Sequence, residues 1–526
     1  MARHGVRRAA TGLLSGLCAV GMTLTTATPP ALADDVALVM GGTGTPLPPA
    51  SWIDFVDTLY LQPRFSGYAA QPLFTPEQLY PATGLNSLGL TASVSQGIDF
   101  LDEAIHRLVG NGNPDGNNVV VFGASQSAVI ASLEIERLVA AGETDLPLSF
   151  VLVANELTPN GGILSRFSGL DLPWLGMFFY HATSDDAFPT RMYSIEYDGF
   201  VDFPRYPLNI VSVLNAIMGI MLLHGSYGDL TPEQVAGAIQ LTTEGPTQTT
   251  YYMIPTEDLP LLEPLRLIPG LGAPLADLLQ PALKVLVNLG YGDPDYGYST
   301  APANIATGFG LFPDVDPGRV FDDLADGVRQ GIHDAGSDIE AMLAGVVSQI
   351  PDVSAMEPAA VAQALADAVT ASARGGLGWA ADAVADLSKI VGSVPNFLQT
   401  AISVITQLAG TIPAPSLVGL TEAVGGALAG QGQLLSVLAN LALSLAISIP
   451  TYDINLFLSN IEEGDLIGAI GEPLAANVGL LSTASGFALG AVALGIGSVI
   501  ESVRSGFDAV LDLAAEPLGQ LDDPVF

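Results

Sequence analysis

The sequence predicts an α/β layered fold, a parallel sheet with helices on both faces. Three apolar runs carry much of that expectation: Val36-Ala37-Leu38-Val39-Met40, Val119-Val120-Val121-Phe122, and Ser149 to Ala154. They lack the polar alternation of a half-exposed strand, as strands buried on both sides do. Between the first two, Val94, Ile98, Leu101, Ile105 and Leu108 recur at the spacing of an amphipathic helix. Composition agrees, since 49% of the 526 residues are hydrophobic and only 13% are charged. Such a chain buries ample apolar surface, which excludes disorder.

The elements follow in order. The first strand runs into Gly41-Gly42-Thr43-Gly44, and a Pro- and Tyr-rich connection leads to about Gly84. The periodic helix stops at the turn cluster Asn111-Gly112-Asn113-Pro114-Asp115-Gly116. The second strand meets Gly123, with a helix from about Ser127 to Ala141, and a fourth strand is expected over Tyr193 to Tyr197. Residues 34–227 therefore form the α/β core. Residues 228–316 mix a Thr/Gln-rich stretch, Thr242 to Tyr252, with Pro-punctuated apolar helices such as Leu275 to Leu289. They read as a cap over the sheet or as a plain helical extension. Residues 317–526 are rich in Ala, Leu, Gly and Val and read as an apolar helical region. Within them Ala423 to Pro450 and Asn477 to Ile500 carry no charge. Each is long enough to span a bilayer, although their Gly and Ser content also suits buried or lipid-facing packing.

Residues 1–33 read as a secretory signal. Arg3, Arg7 and Arg8 precede an apolar stretch from Ala9 to Ala27, and Ala31-Leu32-Ala33 offers a small-residue cleavage site. Cleavage near Ala33 would remove Cys18, the single cysteine, so neither disulfides nor a cysteine-based metal site is expected. The net charge of −38 excludes nucleic acid as a partner.

The chemistry-bearing signal is Gly123-Ala124-Ser125-Gln126-Ser127, between a strand and a helix. In a nucleophile elbow the serine occupies a sharp strand-to-helix turn, and small neighbours let the two elements approach. Ser125 would then sit at a helix N-terminus, where unpaired N–H groups favour developing negative charge, and the Gln126 N–H could face an oxyanion. The loop Gly42-Thr43-Gly44 could supply a second donor or be an ordinary turn. It lacks the Lys of a P-loop and a dinucleotide-binding spacing, and no cofactor is expected.

A serine nucleophile needs a base downstream, and His181, His224 and His333 qualify. His224 ends an apolar run, Ile217 to Leu223, and precedes Gly225, which fits a loop at the catalytic edge. His333 lies among Asp334, Asp338 and Glu340, as a solvated residue would. The orienting acid should come from Tyr197-Asp198-Gly199-Phe200-Val201-Asp202-Phe203-Pro204. The Gly-x-x-Asp spacing favours Asp202, with Asp198 the rival, and either could hold the turn instead.

These stretches together resemble the PE-PPE domain family of mycobacteria, serine α/β-hydrolases similar to cutinases. The resemblance also rests on Thr45-Pro46, on Asn160-Gly161-Gly162-Ile163-Leu164-Ser165-Arg166-Phe167, on Leu214-Asn215-Ala216 before His224, and on Tyr452-Asp453-Ile454-Asn455-Leu456-Phe457. It covers about residues 35–315 well and the remainder loosely. It implies an α/β-hydrolase acting on acyl esters, in some members transferring acyl groups between trehalose glycolipids of the cell envelope. Two departures stand out: a signal sequence where the family carries a PE or PPE helical module, and Ser127 in place of Gly. The expected partner is an acyl ester or glycolipid, with lipid-layer contact through the C-terminal region and a secreted or envelope location. The rival is a catalytically silent envelope protein that binds lipid or a partner.

Overall fold

The computed structural model describes residues 35–109, 117–270, 272–348 and 414–487. Its strands are β1 Asp35–Val39, β2 Ala69–Pro72, β3 Asn118–Ala124, β4 Leu148–Val153, β5 Asp171–Leu172, β6 Met177–Phe178, β7 Thr190–Ile195, β8 Ile239–Gln240 and β9 Thr249–Ile254. Helices that frame the site are α1 Ala50–Val56, α2 Leu90–Val109, α3 Gln126–Ala141, α4 Ile163–Arg166 and α5 Ile210–Leu222.

Alternation along the strands creates two cores. Val36 and Leu38 of β1 join Val119 and Val121 of β3 on the face that α2 and α3 cover. Ala37 and Val39, with Val120 and Phe122, face the other way, onto Val56 and Tyr60. Because both faces are covered, no position is left for a polar residue, and the strands read as continuous apolar runs. Each Val, Leu or Phe so buried contributes about 1.5–3 kcal/mol. Helices α2 and α3 approach closely at Gly97, where an added Cβ would lie 2.3 Å from Ile130 Cδ1.

The principal sheet has seven strands in the order β2-β1-β3-β4-β7-β9-β8. All neighbours pair in parallel except the edge strand β8, which is antiparallel to β9. This mostly parallel, helix-flanked sheet is an α/β fold consistent with an α/β-hydrolase. Strands β8 and β9 lie beyond residue 227, inside the stretch whose sequence reads as a cap or a helical extension, so the sheet continues there. Residues Thr190–Ile195 form β7, a few positions ahead of the expected Tyr193 to Tyr197, because Tyr197 has φ +68° and begins a turn.

The C-terminal region is helical. Helix Pro317–Ser348 packs on helix Gly272–Asn288 through Gly327 and Gly331, whose added Cβ atoms would meet the Ala282 and Leu278 backbones at 2.8 and 2.0 Å. The charge-free segment 423–450 lies inside helix Ala414–Glu463. Helix Leu466–Phe487 is long and apolar enough to cross a membrane by length and composition. It also packs on the α/β domain, burying Ala469, Ala475, Ala476 and Leu480. Gly479 lets it approach Pro207, Phe167 and Phe203. Residues 1–34, the turn cluster 111–116 and the end of segment 477–500 lie outside the described residues.

Candidate active site

Strand β3 ends at Ala124 and α3 starts at Gln126, leaving Ser125 at φ +54°, ψ −125°. A non-glycine residue held there is strained by about 1–3 kcal/mol. The neighbours make the turn possible. At Gly123 a Cβ would come 2.6 Å from Ser127 O and 2.9 Å from Ala128 Cα, so only glycine fits. Ser127 Oγ accepts from the Ala124 N–H at 2.8 Å and donates to the Ala124 carbonyl at 3.1 Å. Its hydroxyl thus closes the turn, which accounts for serine where a nucleophile elbow usually has glycine. The Ser125 N–H donates to Val153 O at 3.1 Å, tying the elbow to β4.

His224 follows α5, and its N–H is held by the Gly219 carbonyl at 3.2 Å. Its Nε2 lies 2.9 Å from Ser125 Oγ. Its Nδ1 lies 2.9 Å and 3.2 Å from the two carboxylate oxygens of Asp198. Buried Asp198 is fixed in turn: Oδ1 accepts from the Phe200 N–H at 3.1 Å and Oδ2 from the Tyr227 hydroxyl at 3.1 Å. Burial by itself lowers the His224 pKa, but the Asp198 charge and hydrogen bond, with Glu156 nearby, outweigh it and hold the pKa above the ordinary histidine value. Phe200 packs edge-on against the imidazole at 4.6 Å, and Phe487 of helix Leu466–Phe487 stacks on Phe200 at 6.2 Å.

Asp202, favoured by spacing, is not at the imidazole. Its Oδ2 accepts from the Tyr197 N–H at 3.0 Å, and its own N–H donates to Asp198 O at 2.7 Å. The tight turn sends one carboxylate outward to His224 and the other inward to the backbone. Burial raises the Asp202 pKa well above the usual carboxylate range. His181 is exposed and bonded to Ser168 Oγ at 2.8 Å, and His333 is exposed on helix Pro317–Ser348.

The loop after β1 lies against the elbow. A Cβ on Gly42 would sit 3.6 Å from Ser125 Cβ. The Gln126 side chain fastens the two together: Nε2 donates to Thr43 Oγ1 at 3.2 Å and to Gln78 O at 3.0 Å, and Oε1 accepts from Ser93 Oγ at 2.8 Å. Gln126 opens α3, so its N–H lacks an intrahelical acceptor. Gly44 is different from what the sequence suggests, because its N–H donates to Glu77 O at 2.7 Å and is not available to a substrate. Gly42 and Thr43 keep the geometry of candidate donors. An open recess of about 440 Å³ lies beside this loop, lined in part by Gly44, Pro46, Glu77, Gln78 and Asn86.

One residue at the centre was missed by sequence reasoning. Glu156, just after β4, has Oε1 3.0 Å from Ser125 Oγ and 3.9 Å from His224 Nε2. Burial raises its pKa, partly offset by the His224 charge. The available signal was its place: a charged residue just past the apolar run Phe150 to Ala154, at the sheet edge where parallel α/β folds bind ligands.

Residues 66–292 match the model of the PE-PPE domain. That segment, a little under half of the chain, is a PE-PPE domain. Among mycobacterial relatives of this PE-PPE chain, the PPE family protein PPE28 of Mycobacterium tuberculosis is 43% identical over 87% of this chain and 65% of its own length. Esterase PE16 of the same organism is 46% identical over 53% of this chain and 52% of its own length. Diacyltrehalose acyltransferase Chp2, also from M. tuberculosis, is 26% identical over 46% of this chain and 68% of its own length. The chain thus spans between half and two thirds of the first of these relatives, PPE28 and PE16. The family match includes Ser125, Glu156, Asp198 and His224, whereas Gly42 to Gly44 precede it.

Proposed function

We propose that this PE-PPE protein is an exported serine esterase or acyltransferase acting on acyl esters through Ser125, His224 and Asp198. The observation that carries the reading is the chain of contacts from Ser125 Oγ to His224 Nε2 at 2.9 Å and from Nδ1 to Asp198 at 2.9 Å. A proton on Nδ1, held by Asp198, leaves the Nε2 lone pair facing the serine hydroxyl, the tautomer a general base needs. Ser125 Oγ bonds to the ester carbonyl carbon as its proton passes to Nε2. The tetrahedral intermediate then collapses, and the leaving alcohol takes that proton. Asp198 stabilises the imidazolium in between. The oxyanion receives the Gln126 N–H and a donor from Gly42 or Thr43; one such donor is worth about 10²–10³ in turnover.

The names of esterase PE16 and diacyltrehalose acyltransferase Chp2 support acyl esters as the substrate class, with envelope glycolipids such as acyl-trehaloses as physiological candidates. Arg3, Arg7 and Arg8 ahead of the apolar stretch Ala9 to Ala27, with Ala31-Leu32-Ala33 after it, support export. The exposed apolar row Leu466, Ile467, Ile470 and Leu474 supports contact with a lipid layer. A fluorophosphonate probe should label the wild-type protein on the peptide carrying Ser125, and p-nitrophenyl butyrate should be hydrolysed. Both signals should vanish in Ser125→Ala. Equal turnover by the two proteins would overturn the role of Ser125, and a wild type that neither labels nor turns over substrate would favour a silent lipid-binding role.

A further inference from the structure

Glu156 touches the nucleophile, yet attack by Ser125, proton transfer to His224 and orientation by Asp198 do not require it. Its backbone is built in. The Glu156 carbonyl accepts from the Leu164 and Ser165 N–H groups at 3.1 and 3.4 Å. Gly162 packs so closely that an added Cβ would lie 2.3 Å from that oxygen. Asn155, one residue before, accepts from the Leu157 N–H and donates to Ser132 Oγ and Thr183 Oγ1, each at 3.1 Å. The turn therefore fixes where the carboxyl points. Oε1 meets Ser125 Oγ, while Oε2 is buried with no hydrogen-bond partner among the described residues.

Acylation changes this arrangement. The single Ser125 proton can lie toward Nε2 or toward Oε1 but not both; once Ser125 is esterified neither acceptor has it, and both oxygens of a buried carboxyl stand unpartnered. An unmet buried acceptor costs about 1–3 kcal/mol, more when charged. The vacancy adjoins His224 Nε2, 3.9 Å from Oε1. One oxygen at about 2.8 Å from each could bond both. Water has two O–H groups and satisfies both acceptors at once. A sugar or glycol does so with neighbouring hydroxyls. A simple mono-alcohol has one proton and satisfies only one.

We propose that Glu156 is a further catalytic residue, which binds the attacking hydroxyl compound during deacylation and favours water or a vicinal diol over a mono-alcohol. This rests on the serine acyl-enzyme proposed above. The attacking oxygen forms a bond to the acyl carbonyl carbon while its proton moves to His224 Nε2. The bond from that carbon to Ser125 Oγ then breaks, and Oγ takes the proton back from Nε2. Glu156 exchanges no proton; it accepts a hydrogen bond from the second O–H throughout.

The test separates the two half-reactions. Stopped-flow measurement with p-nitrophenyl butyrate gives the acylation burst and the steady-state deacylation rate, and intact-mass spectrometry counts the acyl-enzyme. Reactions run in water alone, with ethanol, with ethylene glycol, and with trehalose. Glu156→Leu should slow deacylation about tenfold or more, the worth of one hydrogen bond to a charged group. Acylation should change far less, so acyl-enzyme should accumulate. Wild type should transfer more acyl to glycol or trehalose than to ethanol at equal concentration, and the variant should lose that preference. Glu156→Met, close in length and only a weak acceptor, provides the same comparison if the leucine variant does not fold. Equal slowing of both half-reactions, or an unchanged preference for glycol, would overturn the inference while leaving the serine esterase reading intact. A wild-type protein that forms no acyl-enzyme would remove the function itself.

Discussion

Replacing Asp198 by Asn is the sharpest probe of the proposed chemistry, because the surroundings dictate how the amide must lie. The Phe200 N–H, 3.1 Å from Oδ1, requires an acceptor, so the amide oxygen takes that position. The amide NH₂ then replaces Oδ2, facing His224 Nδ1 at 2.9 Å and the Tyr227 hydroxyl at 3.1 Å. An NH₂ donor obliges Nδ1 to accept, which moves the ring proton to Nε2. There it points at Ser125 Oγ, and the base is lost. The same tautomer reversal elsewhere costs about 10⁴ in turnover, or about 5 kcal/mol of barrier. The assay is kcat/KM for p-nitrophenyl butyrate beside a thermal melt, with Asp202→Asn in parallel. An Asn at position 202 still offers an oxygen to the Tyr197 N–H, so that variant should lose less than about tenfold, the value of one ordinary hydrogen bond. Asp198→Asn within tenfold of wild type would refute the reasoning, as would an equal loss in folded Asp202→Asn.

Helix α5 positions His224, and Gly219 lets it pack on the turn before Asp198: an added Cβ would lie 1.8 Å from the Tyr197 carbonyl oxygen. Gly219→Ala should therefore lower the melting temperature, overpacking costing about 1–3 kcal/mol, and reduce kcat/KM by more than the melt explains; wild-type activity would contradict the assigned geometry. The raised pKa of His224 places the acid limb of the kcat/KM profile above the ordinary histidine value of about 6.5, with activity rising as pH increases. Stability should run the other way. Burial raises Glu77 and Glu134 to about 8, so between the ordinary glutamate value and that point the folded state binds more protons than the unfolded chain. Stability is fully present at acid pH and lost as pH climbs through the window, by at most about 1.4 kcal/mol per pH unit for each group. Melts between pH 5 and 9 should show the decline and Glu134→Gln should flatten it; a melting temperature that rises with pH would oppose the assignment.

What the sequence discloses of the fold and the site follows from what each residue needs around it. Strands β1, β3 and β4 announce themselves because burial on both faces permits only apolar side chains. The elbow is equally legible, since local sterics alone demand small residues at positions 123 and 127. Strand β2, Ala-Ala-Gln-Pro, has no apolar run to reveal it, and β9 hides in a Thr- and Tyr-rich stretch whose place beside β7 is set by pairing across the sheet. His224 is recoverable from the helix before it and the glycine after it. Choosing between Asp198 and Asp202 is not, because four residues of one turn decide which carboxylate faces out. Of the partners that decide it, the Phe200 N–H belongs to the turn itself and Tyr227 comes from well along the chain. Gly44 was misjudged for the same reason: its N–H is consumed by Glu77, far along the chain.

Ser125 adopts a backbone conformation that suits glycine better than serine. The fold is thus locally worse than it could be at the one position its proposed chemistry depends on, and the rest of the molecule must supply the difference. A glycine at that point would relax the corner and make a sturdier, inert protein. Thermal robustness and turnover are therefore in competition at a single residue, and selection for the former alone would erase the latter.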